Sequence, residues 1–308
     1  MPHCPCDNPE LAVKTRAAEL GFDACGLAAA HRVSDQAREQ YARWLATGRN
    51  GCMQWAAGHQ DLRDDPRLLL PGARTVIVLA INYLPQRKLP QSAPQFAYYA
   101  YGRDYHEVVR AKMRQLAEFL QEIGPCECRS CVDSAPMRER WWAVQAGVGF
   151  IGINGQLILP GKGSYFFLGC LLTTLALKPD APCTLSCQGC HACERACPTG
   201  AITPGQAVDA RRCFSCLTIE QRGELPTWVA SKIGNRVFGC DTCQQVCPHN
   251  SQAQPTTVPE FQPSDEFLGL TKEKILHITQ PDFSRIFSHS AVKRTKLAGL
   301  QRNARLLK

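Results

Sequence analysis

The chain has 308 residues, 44% of them hydrophobic, which is enough to bury a sizeable core and too apolar for a disordered protein. Its longest apolar stretch, Tyr165 to Leu177, is too short to span a bilayer and no export signal opens the sequence, so a cytoplasmic protein without membrane contact is expected. The net charge of +8 is concentrated at one end: Arg285, Lys293, Arg294, Lys296, Arg302, Arg305 and Lys308 follow one another with no acidic residue among them, a field that attracts polyanions unless it is only a solvated helix face.

Residues 9–20 and 34–46 place apolar side chains at helical spacing. Thr75 to Tyr83 (TVIVLAINY) follows Pro71-Gly72 and reads as a buried strand. Helical period returns from Tyr105 to Ile123, with Val108, Val109, Leu116, Phe119 and Leu120 on the apolar face. Cys128 to Asp133 predicts a short strand ending at a carboxylate, and Pro136 fits the first turn of a helix running to about Ala146. Gly147 to Gly155 is glycine-rich, and Gln156–Leu159 and Tyr165–Leu177 read as two strands around a turn at Pro160-Gly161-Lys162-Gly163. Lys178 to Pro182 is the best domain boundary, and a polar stretch after Pro248 reads as a linker. At the end, Leu297, Leu300, Ala304 and Leu307 share one helical face. Strands mixed with helices before residue 178 indicate an α/β or α+β domain. The expected division is 1–178, 179–255 for the cysteine-rich module, and 256–308 for a basic helical segment.

The 18 cysteines carry the chemistry. One group is Cys187-x2-Cys190-x2-Cys193-x3-Cys197-Pro198; the other is Cys240-x2-Cys243-x3-Cys247-Pro248, with Cys213 standing upstream. An iron cubane takes four thiolates, three from a tight run and one from a distance, and the first spacing is the bacterial ferredoxin run whose fourth cysteine serves the other cluster. Two [4Fe–4S] clusters are therefore expected, one on Cys187, Cys190, Cys193 and Cys247, the other on Cys197, Cys213, Cys240 and Cys243. Zinc, which closes with two pairs of ligands, does not account for this pattern. Ten cysteines remain: Cys4, Cys6, Cys25, Cys52, Cys126, Cys128, Cys131, Cys170, Cys183 and Cys216. Cys126, Cys128 and Cys131 read as small buried hydrophobes facing opposite sides of a strand rather than a third metal site.

A ferredoxin needs only the cysteine-rich module, so the preceding residues have another task. Asp133, at a strand end before a helix, is well placed to face a pocket, although such an aspartate is also an ordinary helix cap. The glycine-rich segment would let backbone approach a large ligand closely.

VDSAPMRERWWAVQAGVGFIGINGQLILP, then GSYFFLG, the crossed cysteine runs, ARRCFSCLTIE and IGNRVFGCDTCQQVCPHN, together resemble the epoxyqueuosine reductases. Arg103-Asp104-Tyr105-His106 and Leu69 to Ala73 match family segments too, and the resemblance runs from about residue 10 to the end. It implies an α+β protein: an N-terminal cobalamin-binding domain similar to nitroreductases and reductive dehalogenases, a ferredoxin-like module and a C-terminal helical segment. It implies reduction of the epoxide of epoxyqueuosine, at the tRNA wobble position, to queuosine. The clusters would feed electrons to cobalamin, and Asp133 matches the family's proton donor, for which desolvation should raise its pKa. Asp133, Asn154, Ser164 and Ser215 are the implied cobalamin contacts; Gln221, Arg222, Arg294 and Arg302 are candidates for tRNA. A monomer served by an unidentified electron donor is expected. No histidine stands out as a lower cobalt ligand: His59, His106 and His191 read as ordinary residues. Three features depart from the pattern: Ile153 where a lysine is expected, Cys216 where an aromatic is common, and the absence of a C-terminal helical-repeat extension. Other readings are a reductive-dehalogenase-like enzyme and a ferredoxin-type electron carrier fused to a structural domain.

Overall fold

A computed structural model describes residues 8–308; Cys4 and Cys6 lie outside the described residues. The strands in chain order are β1 (Ala24–Ala29), β2 (Thr75–Asn82), β3 (Gln95–Phe96), β4 (Cys128–Cys131), β5 (Phe150–Ile151), β6 (Leu157–Ile158), β7 (Phe166–Thr173) and β8 (Arg236–Phe238). Four form the main sheet in the order β1-β2-β7-β4, antiparallel throughout.

Successive side chains of a strand point to opposite faces, and both faces of β2 are covered. Ile77, Leu79 and Ile81 pack with Val13 and Ala17 of helix Pro9–Glu19 and with Val109, Met113, Leu116 and Leu120 of helix Tyr105–Ile123. Val76, Val78 and Ala80 pack on the other side with Trp142 and Ala143 of helix Glu139–Gln145 and with Leu157 and Leu159. This double cover explains why β2 reads as an unbroken apolar run rather than an alternation. The long helix lies close because Gly169 of β7 has no side chain; a Cβ there would sit 2.6 Å from Met113 Sδ.

Two local expectations change. The helix after β4 begins at Glu139 rather than Pro136, because residues 133–138 are spent on a turn that exposes Asp133. The stretches around 160–163 are not partners: the turn closes through a single Leu159–Gly163 bridge, while β6 pairs with β5 and β7 joins the main sheet.

The cysteine-rich module carries two short helices, Ala192–Ala196 and Thr242–Gln245, packed on one another. Proline disfavours the helical conformation of the residue before it. Accordingly Cys197 (φ −65°, ψ 114°) and Cys247 (φ −73°, ψ 123°) leave their runs in the same extended conformation, a backbone repeat within the module. The polar stretch after Pro248 is not a free linker. Thr256 N–H donates to Leu84 O at 2.7 Å, and Thr256, Val258 and Phe261 are buried. A third core joins Leu89, Phe96 and Tyr101 to Val237 and Phe238 of β8 and to Phe267, Phe283, Phe287, Leu300 and Ala304 of the C-terminal helices, with β3 and β8 paired in parallel. Leu89, Phe96 and Tyr101 thus pack with the C-terminal helices, while Tyr98 and Tyr99 also touch the first core. No helix among the described residues is long and apolar enough to cross a membrane.

Candidate functional site

The first cysteine set converges as the spacing implies. Cys187, Cys190, Cys193 and Cys247 line one cavity, closed by Ile153, Asn154 and Ile158. Gln188 (φ 47°) and Gly189 (φ 79°) make the left-handed turn that brings Cys190 back beside Cys187. Ile153 N–H lies 3.4 Å from Cys187 Sγ, so it is the backbone of residue 153 that meets the thiol while its apolar side chain lines the cavity. Such N–H···S bonds tune cluster potentials.

The second set gathers behind it. Burial pushes the Cys213 thiol up to about 11, with Cys240 and Cys197 adding to the rise. Burial also raises Cys243, again with help from Cys240 and Cys213. The neighbouring thiols thus penalise ionisation of Cys213 and Cys243, an effect that the charge of bound iron would reverse. Threonines repeat the motif: Thr199 Oγ1 stands 3.5 Å from Cys197 Sγ, and Thr242 Oγ1 stands 3.3 Å from Cys240 Sγ. The residues present therefore fit two cubanes with crossed ligands.

The remaining described cysteines sit elsewhere. Cys126 and Cys128, with sulfurs 3.9 Å apart, pack on one side of the sheet, and Cys131 and Cys170 pack on the other. Cys216 is buried and meets Cys52, sulfur to sulfur, at 3.3 Å.

Asp133 follows β4 with φ at +50°, a left-handed conformation that costs a non-glycine residue energy and is kept only where neighbours enforce it. Three do so. Glu139 Oε1 accepts the Asp133 N–H at 2.7 Å. His106 Nε2 lies 3.3 Å from Asp133 Oδ2. Arg110 donates to Ser134 Oγ. The Asp133 side chain is 58% exposed, although protein surrounds it closely enough for burial to disfavour its charge.

The expected rise in its pKa is not found. Burial raises it, but hydrogen bonds from His106 and Tyr105 outweigh burial and hold the carboxyl below the ordinary aspartate range. The proton is on the imidazole. His106 Nδ1 contacts Asp104 Oδ1 at 2.7 Å, and these two carboxylates overcome burial and lift His106 to about 9. The acid that rises is Glu139, pushed by burial and then by the Asp133 charge to about 8.

His106, Asp104 and Glu139 are the residues that sequence reading missed. His106 lies on the first turn of helix Tyr105–Ile123, capped by Asp104, whose Oδ1 also accepts the His106 N–H at 3.0 Å. Its adjacency to Asp133 exists only because that helix packs across β4 and β7. The available signal was the Arg103–His106 segment, whose acid–aromatic–histidine order at a helix start is richer than a cap requires.

Of the other candidates, Asn154 is buried, with Oδ1 accepting Gln156 N–H at 3.1 Å, and borders the first cluster cavity. Ser164 is 4% exposed and its hydroxyl is engaged by Gln244 (2.9 Å) and by Asn250 (3.0 Å from Nδ2), so it fastens the cluster module to the start of β7. Gly163 beside it has φ +90°, and a Cβ there would fall 2.1 Å from Asn250 Oδ1. Ser215 is half-buried on helix Phe214–Ile219, two residues beyond Cys213. Gln221, Arg222, Arg294 and Arg302 are brought together: Arg302 Nη1 donates to Gln221 O at 2.8 Å and Arg222 Nη2 to Arg294 O at 2.7 Å. Arg222 and Arg302 spend these donors on backbone carbonyls. Arg294 is 55% exposed, held by Glu220 through two bonds of 2.9 and 2.8 Å, and close enough to Asp133 to feel its charge.

Comparison with known proteins agrees with this geometry. Residues 63–134 match the family model described as epoxyqueuosine reductase QueG, DUF1730, and residues 186–250 match a 4Fe-4S double cluster binding domain. An epoxyqueuosine reductase of Cellulophaga algicola is 42% identical over 96% of this chain and 97% of its own. A crystal structure of epoxyqueuosine reductase with an epoxyqueuosine-modified tRNA stem loop superposes with a TM-score of 0.89 at 32% identity, covering 97% of this chain and 80% of the other. A Bacillus subtilis epoxyqueuosine reductase, whose catalytic loop is swung out of its active site, matches with the same score, identity and coverage.

Proposed function

This chain belongs to the epoxyqueuosine reductase family, and from that premise we propose that it reduces the epoxide of epoxyqueuosine in tRNA to the alkene of queuosine. The observation that carries the reading is Asp133, exposed and held beside a proton-loaded imidazole, in a chain whose Cys187, Cys190, Cys193 and Cys247 line one cavity. Removing an epoxide oxygen as water consumes two electrons and two protons. Two [4Fe–4S] clusters passing one electron at a time suit the first requirement; for the second, His106 holds one proton that Asp133 can relay, and the other comes from solvent as the oxygen leaves as water.

Cobalamin, for which Asp133, Asn154, Ser164 and Ser215 are the assigned contacts, would supply a strongly reducing and nucleophilic cobalt centre. Asp133 has the one open side chain among the four assigned cobalamin residues; Asn154 and Ser164 are enclosed and act by shaping the walls, and Ser215 borders the second cluster. Proton supply is the work of the chain itself. Asp133 is ionised at rest, so it donates by relay. The imidazolium of His106 passes a proton to Asp133 Oδ2, and Asp133 passes it to the epoxide oxygen as negative charge develops there. Asp104 keeps His106 charged and fixes its ring. Positive charge along the C-terminal segment, Arg294 included, would hold tRNA phosphates with the modified base near Asp133. The protein is read as a cytoplasmic monomer that draws electrons from a donor still to be identified.

The test is anaerobic reconstitution with iron, sulfide and cobalamin, followed by reductant and epoxyqueuosine-containing tRNA, then nucleoside mass spectrometry. Loss of one oxygen only when cobalamin is present supports the reading. No conversion with clusters and cobalamin bound points to another reductive substrate. An Asp133→Asn enzyme that keeps both cofactors and full turnover removes Asp133 from the mechanism.

A further inference from the structure

A half-buried carboxyl with no ion-pair partner among the described residues requires a reason, since desolvation disfavours it. Glu139 is such a group. It opens helix Glu139–Gln145 and turns back across six residues to accept the Asp133 N–H at 2.7 Å. The N-cap of that helix, Arg138, makes no side-chain capping bond, so Glu139 does not serve its own helix in the way a capping box would. What it closes is the loop. Asp133 is held at φ +50°, where a non-glycine residue does not rest unaided, and among the described residues Glu139 is the one side chain bonded to its backbone. The other restraints act further out, His106 on the side chain and Arg110 on Ser134.

The geometry points to Glu139 as the positioning residue that latches the Asp133 loop, by accepting the Asp133 amide proton and so keeping the carboxyl beside His106. Resting on the proposed role of Asp133, this adds a second requirement: the proton donor works only while its main chain is gripped. The grip needs an acceptor at Oε1, not a negative charge. That separates a latch from a second proton source, because glutamine provides the acceptor and no proton. Asp133 faces Glu139 as a like charge, while Arg140 and His106 offset it, and burial keeps the Glu139 carboxyl neutral up to about pH 8.

The experiment compares holoenzymes carrying Glu139→Met, Glu139→Gln and Asp133→Asn, each with iron content, cobalamin content and affinity for substrate tRNA measured beside single-turnover rates. Methionine has similar volume and no acceptor. The latch requires Glu139→Met to lose at least about tenfold in kcat with KM for tRNA and cofactor content unchanged, and Glu139→Gln to restore the rate to within about threefold. Glu139→Gln as slow as Glu139→Met overturns the latch in favour of proton transfer. An active Glu139→Met beside an inactive Asp133→Asn overturns it while leaving Asp133 in place; an active Asp133→Asn overturns the reading on which it rests. Amide exchange in the wild-type holoenzyme tests the same bond without any variant. The latched Asp133 amide should exchange at least about tenfold more slowly than that of Ala135, and equal rates overturn the latch.

Discussion

Replacing Asp104 with asparagine tests the proton supply at its root. His106 titrates at about 9 because two carboxylates face it, Asp104 at 2.7 Å and Asp133 at 3.3 Å. A raised histidine pKa means that its proton is fully held at low pH and lost as pH climbs through 9. Asparagine keeps the helix cap, since its side-chain oxygen accepts the His106 N–H as well as aspartate does. It removes only the charge. With one of two partners gone the His106 pKa should fall roughly halfway back towards its ordinary value, to about 7.5–8. At pH 8.5 the protonated fraction then drops from about three quarters to between about one in four and one in eleven, a loss of roughly three- to eightfold in rate. At pH 6.5 both enzymes are protonated and their rates should agree within about 10%. The assay is single-turnover conversion of epoxyqueuosine to queuosine in tRNA across pH 6 to 10, with cluster absorbance followed to exclude unfolding. Identical profiles would refute the relay. So would a loss of equal size at both ends of the range, because that marks structural damage rather than proton supply.

Three further outcomes follow from the geometry. Removing Cys187 and Cys247 together should cost no more iron than removing either alone, because both serve one cluster, whereas removing Cys187 and Cys243 should empty both sites; iron analysis and the spectrum of the reduced protein distinguish the two. Asn303 is fully buried and donates to Thr218 O (2.8 Å) and Val237 O (2.9 Å), tying the last helix to the segments that precede Glu220 and Cys240. Asn303→Leu leaves those carbonyls short of a partner and should destabilise by about 2–4 kcal/mol, seen as an earlier urea transition together with loss of the second cluster. Arg294→Ala should weaken tRNA binding and lower the slope of log affinity against log salt by roughly 0.7–0.9 if the guanidinium meets one phosphate. An unchanged slope would remove Arg294 from the tRNA interface.

Much of this protein was written locally. Thr75–Asn82 and Tyr105–Ile123 follow from apolar runs whose period matches one secondary structure, and the convergence of Cys187, Cys190, Cys193 and Cys247 on one cavity follows from their spacing. The Asp133 turn was legible as a site for the same reason, a carboxylate between a strand and a helix. Assignments failed where a residue's role depends on what packs against it. Ser164 reads as a polar contact beside glycine, but only the folded chain brings Gln244 and Asn250 to saturate it. The stretch after Pro248 reads as linker because its composition is polar, yet tertiary contacts bury Thr256 and Val258.

What the sequence determined by itself was the inventory: which segments are helix or strand, which cysteines can share iron, and which family the chain resembles. What only the tertiary structure decided was who holds the proton. Asp133 and His106 are 27 residues apart in the chain, and neither residue type dictates its own charge. Desolvation alone would have raised the Asp133 pKa, the direction expected from its place near a pocket. The fold instead sets an imidazole between two carboxylates, and at 2.7 and 3.3 Å that attraction outweighs desolvation of both partners, moving the proton to His106.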